Sequence, residues 1–101
     1  ELTKISSKLE SKAALICLDE KGQSINSINF AQNLEKFQTT YPKIQFVIGG
    51  ANGLNDELRD KANLLLSFGQ QTWPHMMARI MLVEQIYRAQ QILANHPYHR
   101  E

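Results

Sequence analysis

Ile44-Gln45-Phe46-Val47-Ile48 is a short apolar run that ends directly in Gly49-Gly50-Ala51-Asn52-Gly53. Five such residues closed by glycines read as a strand buried on both faces, followed by a tight connection. The same pattern recurs on either side. Upstream, Ala13-Ala14-Leu15-Ile16-Cys17-Leu18 ends in Asp19-Glu20-Lys21-Gly22, which predicts a buried strand and then a turn. Downstream, Leu64-Leu65-Leu66-Ser67-Phe68 predicts a third strand.

Helical spacing fills the gaps. Phe30, Ala31, Leu34, Phe37 and Tyr41 recur at helical intervals, with Asn26 or Ser27 as cap and Pro42 as the stop. Asn55 caps a short helix with Asp56 and Glu57 in its first turn, where the helix dipole favours acids. The longest helix runs from Pro74 to about Asn95. Leu2, Ile5 and Leu9 have the spacing of a helix that is finishing as the chain begins. Strand and helix alternate throughout, so the fold class is α/β, a parallel sheet with helices on both faces, in one domain over 1–101.

Composition sets bounds on function. The 101 residues carry a net charge of +1, which offers no broad basic field for nucleic acid, so such a surface must be local or assembled from two subunits. Cys17 is the single cysteine, which fits a reduced, cytoplasmic setting. No apolar run approaches the roughly 20 residues of a membrane span. Glu1 opens the chain without a methionine, and an N-terminal segment is expected to precede it.

In open parallel sheets ligands bind beyond the carboxyl ends of the strands. Here those ends begin near Leu18, Gly49 and Phe68. The Gly49 loop lacks both the dinucleotide glycine spacing and the Lys-Ser/Thr pair of a phosphate loop. A connection that needs positive φ accounts for the same glycines. Phe68-Gly69-Gln70-Gln71-Thr72-Trp73 offers backbone groups for an adenine edge and apolar walls from Phe68 and Trp73, or is an ordinary turn. The long helix is apolar nearly all round, so it must be covered on several sides, within the fold or by a second copy. Glu84 and Arg88 are spaced to pair on it. The tail Asn95-His96-Pro97-Tyr98-His99-Arg100-Glu101 brings a stacking ring and polar groups suited to RNA. Its histidines lack the cysteine or carboxylate companions of a metal site, so no metal is expected.

Four stretches together resemble one family: Phe46 to Leu54, Leu66 to His75, Arg79 to Ala89, and Asn95 to Glu101. They are similar to the bacterial ribosomal RNA large-subunit methyltransferase H family, of the SPOUT class. The resemblance runs from about Ala13 to the C-terminus. It implies a C-terminal trefoil knot, a homodimer, and transfer of a methyl group from S-adenosylmethionine to N-3 of a pseudouridine in 23S ribosomal RNA, within the ribosome. Cofactor contacts would fall on Leu18, Gly49, Phe68, Gly69, Gln70, Gln71, Thr72 and Trp73. The substrate side would be His75, Arg79, Glu84, Tyr87 and Arg88, with Tyr98, His99 and Arg100 from the tail. His99 is the expected base, with Arg79 or Arg100 stabilising the deprotonated ring. The family is longer at the N-terminus by a strand-helix-strand region. The alternative readings are a non-catalytic nucleotide- or RNA-binding module and an inactive, truncated dimerisation domain.

Overall fold

The computed structural model describes residues 12–49, 54–69, 71 and 73–99. The element order is β1 (Ala13–Gln23), α1 (Ser27–Thr40), β2 (Lys43–Ile48), α2 (Asp56–Lys61), β3 (Leu64–Leu66) and α3 (His75–Leu93). All the strand pairings are parallel, in the order β2-β1-β3. The expected helix over Leu2 to Leu9 lies outside the described residues.

The central strand explains why its sequence is apolar without alternation. Ala14, Ile16 and Leu18 point to one face and pack with Phe30, Ala31, Leu34 and Phe37 of α1 and Ala78, Leu82 and Ala89 of α3. Leu15 and Cys17 point to the other face, against Val47, Leu54 and the partly buried Leu58 and Ala62 of the α2 region. Both faces are covered, so both sets must be apolar. Burial, helped by the nearby Asp19 charge, pushes the Cys17 thiol up to about 11. That makes Cys17 a packing residue and not a nucleophile.

Caps form where polar side chains precede helices. Asn26, not Ser27, caps α1 by accepting the Asn29 N–H at 2.8 Å, and Asn55 caps α2 by accepting the Leu58 N–H at 2.8 Å. Helix α1 ends because Tyr41, before Pro42, is extended at φ −122 and ψ 142.

Two expectations need correction. The predicted turn at Asp19 to Gly22 is instead a bulge inside β1, which rejoins β3 at Gln23. Gly22 permits this: a Cβ there would lie 2.6 Å from the Leu66 carbonyl carbon and 2.7 Å from the Leu65 oxygen. The third strand is also shorter than predicted, ending at Leu66 rather than Phe68. Ser67 starts a turn, because its Oγ accepts the Gly69 N–H at 3.0 Å and donates to the Gly69 carbonyl at 2.8 Å.

Candidate functional site

Helix α3 carries apolar side chains on opposite sides, as its composition predicts. Ala78, Leu82 and Ala89 are buried, while Met76, Ile80, Val83 and Tyr87 form a stripe on the opposite side, with Met76 63% and Ile80 58% exposed. The expectation that this helix is apolar all round is therefore met on one side by the core, and the other side stands open.

How α3 ends decides where the tail goes. Asn95 has φ +60, in the left-handed region that asparagine tolerates better than other non-glycine residues. Asn95 N–H donates to the Ile92 carbonyl at 3.1 Å and His96 N–H to the Gln91 carbonyl at 2.9 Å. That pair of bonds is a Schellman closure, and it turns the chain back along the helix it has just left.

The returning tail lands on the Glu84–Arg88 pair. Arg88 Nη2 donates to Glu84 Oε2 at 2.9 Å, and Tyr98 donates its hydroxyl to the same oxygen at 2.9 Å. The Tyr98 ring stands edge-on to Tyr87, with centroids 4.9 Å apart, and the Arg88 guanidinium lies 4.9 Å from the Tyr98 centroid. Gln85 Nε2 donates to Glu84 Oε1 at 3.0 Å. The hydrogen bonds from Arg88, Tyr98 and Gln85 outweigh burial and hold the Glu84 carboxyl below the usual carboxylate range. With these donors around its two oxygens, Glu84 is an anchor and a poor base. Arg88 Nη1 also donates to His99 Nδ1 at 3.0 Å. A guanidinium only donates, so Nδ1 accepts, and the neutral ring carries its proton on Nε2.

At the strand ends, Gly49 N–H donates to the Leu18 carbonyl at 3.0 Å. The Leu18 side chain is core, so only its backbone is available to a ligand. Gly69 has φ +113, and a Cβ there would meet no atom of the described residues within 4 Å. Trp73 is exposed, and its indole N–H donates to the Phe68 carbonyl at 3.3 Å. Gln71 is exposed, and Gln70, Thr72 and Arg100 lie outside the described residues.

A cavity of about 690 Å³ lies between the end of β3 and the tail, and among the described residues expected to contact a cofactor only Phe68 lines it. The end of β3 reaches it through Leu66, Ser67 and Phe68; α3 and the tail reach it through Ile80, Met81, Glu84, Gln85 and His99. Leu18, Gly49, Arg79 and Tyr98 are not among its lining residues. The sequence reading missed its third wall, Ser24 to Ser27 with Phe30. Ser27 Oγ donates to Gln85 Oε1 at 2.7 Å across it. The available signal was position: these polar residues follow the central strand at the carboxyl end of the sheet. Among the described residues no group of three or more His, Cys, Asp or Glu is placed to hold a metal ion, and no helix is long and apolar enough to cross a membrane.

Comparison with known proteins gives consistent matches. A family model described as "Predicted SPOUT methyltransferase" matches residues 1–99. The "Ribosomal RNA large subunit methyltransferase H" of Rhodopseudomonas palustris (strain HaA2) is 54% identical over 101 residues, covering 99% of this chain and 63% of that protein. The proteins of the same name from Rhodospirillum centenum and Paracoccus denitrificans are 58% and 53% identical over 89 residues, covering 87% and 88% of this chain and 59% and 57% of theirs. The chain thus spans about three-fifths of the length of the curated relatives it matches.

Proposed function

The chain belongs to the SPOUT methyltransferase family, and from that premise we propose that it is the cofactor-binding and catalytic part of an enzyme that methylates N-3 of a pseudouridine in 23S ribosomal RNA, with S-adenosylmethionine as donor. The observation that carries this reading is the shared cavity. One space of about 690 Å³ is lined by Phe68 from the cofactor loop and by Glu84 and His99 from the substrate side. Its size suits a small-molecule site, for which roughly 300–1,000 Å³ is usual.

The residues present fit the cofactor. No described residue fills the space beside Gly69 where a Cβ would stand. Leu18, Gly49 and the run Phe68, Gly69, Gln70, Gln71, Thr72 and Trp73 would hold it at the carboxyl end of the sheet. When bound, S-adenosylmethionine supplies a methyl group already activated on a sulfonium. What remains for the protein is to position the acceptor nitrogen, exclude water and manage one proton.

Arg88 is the centre of that task. Glu84 fixes it, and it in turn orients His99. With Nδ1 held by Arg88, His99, which lines the cavity, has its Nε2–H left to donate to an exocyclic carbonyl oxygen of the target base, stabilising the charge left when the nitrogen gives its proton to solvent water. For His99 to serve as the base, its Nδ1 must first leave Arg88. Arg79 and Arg100 are the candidates to steady the same charge, and Tyr98 to hold the tail. The open stripe of α3 supports a homodimer, and the ribosomal substrate supports a cytoplasmic location. The same reading extends to a C-terminal trefoil knot, a rare exception to ordinary chain topology.

The test is transfer of labelled methyl from S-adenosylmethionine to 23S ribosomal RNA, free and within ribosomes, by the parent and by His99→Ala. The reading predicts labelling at one pseudouridine and a kcat reduced roughly tenfold or more in the variant, with cofactor affinity little changed. Cofactor binding by a folded parent with no transfer to any RNA would favour a non-catalytic module.

A further inference from the structure

Two consecutive residues hold both ends of the connection between β2 and α2. The Leu18 carbonyl accepts the Gly49 N–H at 3.0 Å, and Asp19 Oδ2 accepts the Leu54 N–H at 3.2 Å. The other Asp19 oxygen, Oδ1, accepts the Lys21 N–H at 2.9 Å and so shapes the bulge of β1. Arg59 Nη1 donates to Oδ2 at 3.3 Å, while its other terminal nitrogen holds Asp56. The Asp19 side chain is only 2% exposed.

A buried charge is costly unless it is fully paired. Here three donors from three segments converge on one carboxylate, and no neutral side chain of that size accepts all of them. The bulge that Asp19 shapes also carries the third loop. The Gln23 carbonyl accepts the Ser67 N–H at 2.9 Å, and Gly22 lies against the Leu65–Leu66 backbone. Asp19 is therefore tied directly to the exit of the Gly49 loop, and through Lys21 to the start of the Phe68 loop.

We propose that Asp19 is a positioning residue for the cofactor site: by holding Lys21, Leu54 and Arg59 together it sets the spacing of the Gly49 and Phe68–Trp73 loops. The proposal rests on the methyltransferase reading for what those loops bind, and on the hydrogen bonds alone for the clamp. Asp19 touches no reacting atom. Its loss acts on cofactor affinity and leaves the transfer step largely intact.

The experiment compares the parent with Asp19→Asn, which keeps the size and removes the charge. Three quantities are read: amide exchange at Leu54 and across α1 and α3, S-adenosylmethionine affinity by calorimetry, and KM for the cofactor against kcat. The clamp predicts faster exchange at Leu54 with α1 and α3 unchanged. It predicts cofactor affinity and KM weaker by roughly tenfold or more, with kcat at saturation moved far less. If Asp19→Asn does not fold, Arg59→Gln replaces it, leaves both backbone donors in place, and is expected to give a smaller effect of the same local kind. Unchanged exchange at Leu54, or exchange that rises equally in α1 and α3, overturns the clamp. A parent that binds the cofactor beside an Asp19→Asn variant that binds equally tightly overturns the proposal alone. A folded parent that binds none overturns the methyltransferase reading and the cofactor half of this proposal, while the exchange result still decides the clamp.

Discussion

The backbone N–H of His96 donates to the carbonyl of Gln91 at 2.9 Å, and this bond folds the C-terminal tail back onto α3. It depends on Asn95 at φ +60. A β-branched residue in that conformation is strained by roughly 1–2 kcal/mol, whereas glycine is not. Asn95→Val is expected to lose about that much stability and to release Tyr98 and His99 from Glu84 and Arg88. Asn95→Gly should retain both. Urea denaturation and methyl-transfer assays of the two variants check this; equal behaviour would separate the tail's position from the closure.

Gly22 has no room for a side chain, since a Cβ would press on the backbone of Leu65 and Leu66 at 2.6 to 2.8 Å. Relief requires β1 and β3 to move apart. Gly22→Ala is expected to cost about 1–3 kcal/mol, measured by urea denaturation. A variant as stable as the parent would mean that the bulge is softer than its contacts imply.

Asp19 links stability to pH. Burial alone would raise its carboxyl, but the N–H groups of Lys21 and Leu54 together with Arg59 outweigh it and hold the group below the usual range. A value lower in the folded state means stabilisation that is full above the unfolded carboxyl value, about 3.9, and lost as pH falls through the folded value. The stability difference between the parent and Asp19→Asn should therefore be constant from about pH 8 to 5 and shrink below about pH 4. Urea titrations over that range measure it. A difference that stays constant into acid would show that the charge is not what the site uses.

The exposed stripe of Met76, Ile80, Val83 and Tyr87 needs a cover. Val83 lies on the stripe but not in the cavity wall. Val83→Asp is expected to convert a dimer to a folded monomer in light scattering after size-exclusion chromatography. A parent that is itself monomeric, or a variant of unchanged mass, contradicts the homodimer.

Much of this architecture is legible in the residues, for identifiable reasons. Ala14 to Leu18 lack alternation because both faces of β1 are covered, and that pattern is visible without coordinates. Asn26 and Asn55 are readable as caps because the capping group is their own side chain. The bulge is not readable, since Asp-Glu-Lys-Gly has the composition of a turn, and its place in β1 depends on the distant backbone of Leu65 to Ser67 that packs and bonds against Gly22 and Gln23. Ser24 to Ser27 join the cavity through the cross-wall bond from Ser27 to Gln85, 58 positions apart, and no local pattern predicts such a pairing. The meeting of Tyr98 with Glu84 needed the left-handed Asn95, which the sequence marked only as the end of a helix.

The most direct measurement is calorimetric titration of the folded chain with S-adenosylmethionine beside a Gly49→Trp variant. The account predicts saturable binding by the parent and its loss in the variant, whose indole would occupy the loop where Gly49 meets Leu18. No binding by a folded parent, or equal binding by both proteins, would contradict a cofactor site at the carboxyl end of this sheet.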